Sequence, residues 1–199
     1  METLNHTLFL WLNAPAQPPA GMVWLATFFA EYAIWLVPAT LVAAWLWGEP
    51  PTRRHALQAG VTAVAALLVS AGFGLAWDHP RPFVIGLGHT LIEHAPDSSF
   101  PSDHLTLLWS VAFSLLLHPR LRRAGAVLAL LGVPMAWARI YVGVHYPFDM
   151  VGAAAVSAAC AWLCNRPLAQ AAAEPLHRLA LAVHALVLAP FVRRGWVNK

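Results

Sequence analysis

Arg139 and His145 stand six residues apart, Asp149 follows four further on, and His104 closes a Pro101-Ser102-Asp103-His104 run, with Arg81-Pro82 upstream. Phosphoryl transfer from an ester or anhydride asks for charge neutralisation on the nonbridging oxygens, an in-line nucleophile, and an acid for the departing oxygen. Each requirement has a candidate. Arg81 and Arg139 offer planar donor forks that match phosphate oxygens and stay charged at any relevant pH. Pro147 suits the first position of a helix, which puts Tyr146 near the cap and Asp149 at the third helical position, within reach of the His145 ring. A carboxylate on one ring nitrogen fixes the tautomer and frees the other lone pair, so His145 is the expected nucleophile and Asp149 its orienting partner. His104 is placed to protonate the leaving oxygen and later to activate water. Pro101 is expected at the first helical position, with Ser102, Asp103 and His104 in the first turn, where free N–H groups form an anion site.

These residues are set in an apolar chain. Of 199 residues, 59% are hydrophobic and 11% charged, and 10 are tryptophan. The mean hydropathy is +0.60. This composition describes an integral membrane protein and no nucleic-acid partner is expected. Glu2 with no early Lys or Arg lacks the basic front of a cleavable signal peptide, so insertion is expected to rely on the spans. Five segments can cross a bilayer: Gly21–Trp47, Ala56–Trp77, Ser99–Leu117, Ala124–Val144 and Pro147–Leu163. Leu4–Leu12 reads as an interfacial helix. Leu176–Val192 reads as an inner interfacial helix or a sixth span; the first is preferred, because spanning would bury Arg178 or His184. The fold expected is all-α, a polytopic helical bundle of five or six spans in one unit over residues 1–199, with a catalytic core near 74–154. Cys160 and Cys164 lie one helical turn apart and read as packing.

Basic residues near span ends collect on the cytoplasmic side. Arg53, Arg54, Arg120, Arg122, Arg123, Arg166, Arg178, Arg193, Arg194 and Lys199 fall at one end of the bundle, whereas Arg81 and Arg139 alone fall at the other. The motif end therefore points out of the cytoplasm. Its loop also carries His79, His89, Glu93, His94 and Asp97, a set that raises a divalent metal. No pair has the repeated short spacing of a zinc motif, so accessory hydrogen bonding or substrate contact by His79 and His94 is favoured, and no metal or other cofactor is expected. Glu31, about ten residues into the first span, needs a partner or water there. It is read as pairing with an active-site Arg or His, or as making a simple interhelical hydrogen bond.

The three clusters resemble the type 2 phosphatidic acid phosphatase family, whose signature runs Lys-x6-Arg-Pro, Pro-Ser-Gly-His, and Ser-Arg-x5-His-x3-Asp. Here the motifs are Arg81-Pro82, Pro101-Ser102-Asp103-His104, and Ala138-Arg139 with His145 and Asp149. Gly74 takes the lysine position, Asp103 the glycine, and Ala138 the serine. The resemblance implies His145 as nucleophile, Asp149 as its partner, His104 as general acid, and Arg81, Ser102 and Arg139 as phosphate ligands, with Asp103 altering the cradle. His79-Pro80-Arg81-Pro82-Phe83, Phe100-Pro101-Ser102-Asp103-His104 and the closing Arg194-Gly195-Trp196-Val197 resemble the undecaprenyl-diphosphatase branch, which includes bacitracin-resistance proteins. That likeness implies a polyprenyl diphosphate as substrate, drawn from surrounding membrane lipid, hydrolysed at the outer face of the bacterial cytoplasmic membrane. An apolar gap between spans is expected for its tail. Other readings remain: a phosphatase for phosphatidic acid or phosphatidylglycerophosphate, a lipid phosphotransferase, a lipid-binding scaffold, and a transporter. The last is disfavoured because the charged residues gather at one edge rather than along a path.

Overall fold

The computed structural model describes residues 1–198, so Lys199 of the basic tally lies outside the described residues. Among the described residues nine α-helices follow one another: α1 (Glu2–Leu12), α2 (Ala20–Thr27), α3 (Leu36–Trp47), α4 (Pro50–Ala76), α5 (Asp103–Leu116), α6 (Arg122–Tyr141), α7 (Pro147–Cys164), α8 (Pro167–Val187) and α9 (Ala189–Arg193). A π-helical turn over Phe28–Tyr32 and a 3-10 turn over Ala33–Trp35 join α2 to α3. The tightened turn has a local cause, since Pro38 lacks an N–H for the Ile34 carbonyl and its ring crowds that group.

Four stretches are long and apolar enough to cross a membrane: Ala20–Trp47, Pro50–Ala76, Arg122–Tyr141 and Pro147–Cys164. The expected span Ser99–Leu117 is shorter than the sequence reading gave. Its helix, α5, has 14 residues, about 21 Å at the usual rise, against a hydrocarbon core of roughly 30 Å. Pro101 is not the first helical residue either. It lies ahead of the cap, Ser102 is the N-cap in extended conformation, and Asp103 opens the helix. The second span starts earlier than expected, because Pro50 and Pro51 are pre-set for a helix start and the polar stretch before Ala56 is helical.

α5 is the central helix. Leu105, Leu108, Val111, Ala112 and Leu115 are fully buried, packed among α4, α6 and α7. Gly125 lets the α6 backbone approach that of α5, since a Cβ there would meet Ala112 O at 2.7 Å. Cys160 and Cys164 are both free on α7.

The two ends of the bundle differ in chemistry. At one end Arg53 donates to Trp45 O and Asn198 O, Arg54 pairs with Glu174 at 2.9 Å, and Arg120 pairs with Glu49. Helix α8 belongs to this end. It leaves α7 there, meets Arg54 through Glu174 midway, and brings His184 to within 5.9 Å of Trp45. It begins nine residues before the expected Leu176 and is not among the stretches long and apolar enough to cross. The other end gathers α1, the close of α4, the start of α5 and the α6–α7 junction.

Candidate active site

His145 lies in the five-residue link between α6 and α7, and its burial is nearly complete at 1% exposure. The link turns sharply at Gly143, whose φ of +87° disfavours any side chain and whose hydrogen faces the His89 carbonyl where a Cβ would clash. Pro147 then starts α7, Tyr146 caps it, and Asp149 occupies the third position, all as the spacing implies. Asp149 Oδ2 accepts from Tyr146 N at 2.8 Å and lies 3.2 Å from His145 Nδ1. Nδ1 therefore carries the ring proton, and Nε2 is left as an acceptor.

Two guanidinium groups meet at that acceptor. Arg81 Nη1 is 3.1 Å from Nε2 and Arg139 Nη2 is 3.3 Å from it. Arg81 is further held by Val144 O at 2.9 Å, by Ser98 O at 3.3 Å, and by Asp97 Oδ1 at 2.8 Å from Nε. Asp97, which the sequence reading grouped with metal ligands, is thus a partner of Arg81. Arg139 donates to Ala30 O at 3.3 Å and to His94 Nε2 at 2.9 Å, while its Nε is buried without a partner among the described residues. His94 Nδ1 is satisfied by Ala95 O at 3.1 Å, so its Nε2 is the bare nitrogen. Burial holds the pKa of His145 well below the ordinary imidazole range, and the charges of Arg139 and Arg81 lower it further. The resting ring is neutral.

Ser102 and His104 complete the pocket from α5. The Ser102 hydroxyl is buried and makes no hydrogen bond among the described residues, while its N–H donates to Asp149 O at 3.4 Å. His104 lies close enough to Arg139, His94 and Arg81 for their charges to act on it. The structure therefore assembles His145, Asp149, His104, Arg81, Arg139 and Ser102, with His94 beside them.

Three other expectations change. Asp103 is turned toward α4, where Ser70 Oγ donates to its carboxylate at 2.7 Å, and it makes no bond to a histidine. Beside it Gly74 opens a cleft of about 390 Å³ whose walls include Ser70, Asp97, Ser98 and Asp103, at the place the resemblance reserves for lysine. Glu31 is exposed and forms no close ion pair among the described residues, although its charge acts on Arg139. The π turn that carries it instead supplies the Ala30 carbonyl to Arg139, as a wide turn leaves main-chain acceptors free. His79 points away from the phosphate pocket toward Ser99 and α1. The large apolar grooves border α8, one of about 570 Å³ running along α4 from Leu57 to Leu68, rather than opening at His145.

Sequence reasoning missed the part played by α1. Asn5, buried, accepts from Phe148 N at 3.0 Å in the first turn of α7. Asn13 ties His89 to Tyr141 O. A buried Asn on an amphipathic helix leaves no trace in hydropathy, and only partners more than a hundred residues away reveal it.

Residues 55–171 match the PAP2 superfamily. The chain belongs to this family. YbjG of Escherichia coli (strain K12), provisionally named an undecaprenyl-diphosphatase, is 35% identical over 198 residues, covering 100% of this chain and 99% of that protein. Undecaprenyl-diphosphatase BcrC of Bacillus subtilis (strain 168) is 36% identical over 154 residues, 77% of this chain and 79% of that protein. Among solved structures, LpxE of Aquifex aeolicus superposes with a TM-score of 0.64 at 21% identity, over 80% of this chain and 93% of that one, a likeness of fold. The PAP2 chain is thus a multi-pass membrane phosphatase with an all-helical fold.

Proposed function

We propose that this PAP2 phosphatase hydrolyses undecaprenyl diphosphate to undecaprenyl phosphate and inorganic phosphate, through a phosphohistidine at His145, on the outer face of the bacterial cytoplasmic membrane. One observation carries the mechanism: a neutral imidazole fixed at Nδ1 by Asp149 offers Nε2 to the point where two guanidinium groups converge, at 3.1 and 3.3 Å. The names and coverage of the two curated relatives support the substrate.

In this reading the terminal phosphate displaces the Arg81 and Arg139 donors from Nε2 and takes them on its own oxygens, with the free Ser102 hydroxyl as a third ligand. The Nε2 lone pair attacks phosphorus, and His104, which takes up a proton when the anionic diphosphate enters beside it, gives that proton to the bridging oxygen as the P–O bond breaks, releasing the lipid monophosphate. His104 then takes a proton from water, whose oxygen cleaves the P–N bond. Inorganic phosphate leaves and His145 returns to its neutral form. The guanidinium pair supplies the charge neutralisation, so the scheme calls for no metal. The orientation rests on the charge rule, since Arg81 and Arg139 stand alone at the site end and the remaining arginines gather at the other.

Phosphate release by purified protein from undecaprenyl diphosphate, undecaprenyl phosphate and phosphatidic acid, with chelator throughout, tests this. The diphosphate is expected to be preferred and turnover to be indifferent to chelator. Preference for phosphatidic acid would overturn the substrate, and loss of activity on chelation would overturn the metal-free scheme.

A further inference from the structure

The histidine that the phosphate pocket does not use is His79. It is buried at 7% exposure between two aromatic rings, Trp77 at 4.9 Å and Tyr146 at 5.2 Å between centroids. Its main chain is pinned to the 97–99 segment, with Ser99 N donating to His79 O at 2.8 Å next to the Pro80–Ser98 bridge. Its ring continues the connection. Nδ1 lies 2.7 Å from Ser99 Oγ, and Nε2 lies 3.4 Å from Glu2 Oε2 on α1.

Ser99 leads to the nucleophile's carboxylate. Asp149 spends Oδ2 twice, on His145 Nδ1 and on Tyr146 N, whereas Oδ1 is buried with no hydrogen bond among the described residues. The wholly buried Ser99 hydroxyl acts on this carboxylate without closing a hydrogen bond to it, so Oδ1 is left free to take the serine proton. A serine has one proton to give, and both His79 and Asp149 are beside it. A ring with a single N–H gives it to Ser99 Oγ or to Glu2 and not to both, and where Nδ1 donates to Ser99 Oγ the serine proton is left to point at Asp149. The titratable groups around the ring are Glu2 and, behind it, His6 from α1, Tyr146 from the α6–α7 link, and Asp149 through Ser99.

We propose that His79 is a positioning residue of the phosphatase: by donating from Nδ1 to the Ser99 hydroxyl it aims the serine proton at the Asp149 carboxylate and so steadies that carboxylate and the His145 ring. This rests on the phosphohistidine reading of the site but not on the identity of the lipid. An orienting group of this kind acts on the chemical step, because a carboxylate free to tilt lets the imidazole leave the line of attack.

The test compares kcat and KM of wild type, His79→Phe, His79→Asn, Ser99→Ala and the double variant His79→Phe/Ser99→Ala, on whichever lipid phosphate the wild type turns over. A failure of undecaprenyl diphosphate as substrate would therefore leave the comparison intact. His79→Phe and Ser99→Ala are each expected to lower kcat by about tenfold or more, with KM within about twofold because no phosphate contact is lost. The double variant should be no worse than the poorer single one, since both act through one contact. Asn places an amide nitrogen where Nδ1 stood, so His79→Asn should recover most of the lost kcat even if His79→Phe folds poorly. Full kcat in Ser99→Ala, equal impairment of the Asn and Phe variants, or losses that multiply in the double variant would each overturn the proposal.

Discussion

Asp149 Oδ2 and His145 Nδ1 lie 3.2 Å apart, both nearly inaccessible to water. The carboxylate belongs to a helix and the imidazole to the link before it, so the start of α7 sets the tautomer of the ring. Asp149→Asn keeps the size but no longer dictates which ring nitrogen holds the proton. Phosphate release should fall by about 10³-fold in kcat, with KM changed only a few-fold. An Asn variant within a factor of a few of wild type would remove Asp149 from the mechanism.

The pH profile follows from the electrostatics of the pocket. The ring must be neutral to attack, and burial followed by Arg139 and Arg81 pushes its pKa well below the ordinary imidazole range. The activity that depends on a neutral His145 is therefore lost as pH falls through that depressed value, so the acid limb of kcat/KM assigned to His145 should lie below the range of a free histidine. Arg81→Gln removes one lowering charge and should shift that limb upward. A limb at the free-histidine position in wild type, unmoved by Arg81→Gln, would contradict the arrangement.

Arg81 is held by four acceptors from a single planar fork. A lysine keeps the charge but not the geometry, so Arg81→Lys should cost roughly 10²-fold in kcat/KM. Kinetics on the diphosphate would show it. A near-normal Arg81→Lys enzyme would reduce the role of this residue to charge alone.

Gly143 stands between Arg139 and His145 at φ +87°, against the His89 carbonyl. Gly143→Ala should destabilise the protein by about 2 kcal/mol or more through the left-handed backbone and the clash. The expected readout is a lower apparent Tm in detergent together with reduced turnover. An alanine variant as stable and active as wild type would mean that the link rearranges freely.

The start of α7 was legible in the sequence because it is local. Pro147 dictates where a helix begins, and a spacing of four brings Asp149 back to His145. The start of α5 was less so: Pro101 announces a helix but not whether it is the first residue or precedes the cap, and Ser102 decides the matter. The expected pairing of Glu31 with an active-site arginine takes the form of a charge that acts on Arg139 without a close ion pair, because the π turn leaves Glu31 exposed while offering Ala30 O to Arg139, and hydropathy does not show such a turn. Contacts such as Asn5 to Phe148 or His79 to Ser99 join separate elements, and no periodicity encodes them. The motifs thus located the pocket, whereas the groups that brace it had to be seen in three dimensions.

The most direct measurement mixes wild type rapidly with diphosphate labelled in its terminal phosphate and quenches in alkali, where a P–N bond survives. A burst of label on the protein, mapped to position 145 and missing in His145→Ala, is the expected result. A first turnover that leaves no label on the protein, together with normal phosphate release by His145→Ala, would contradict the account.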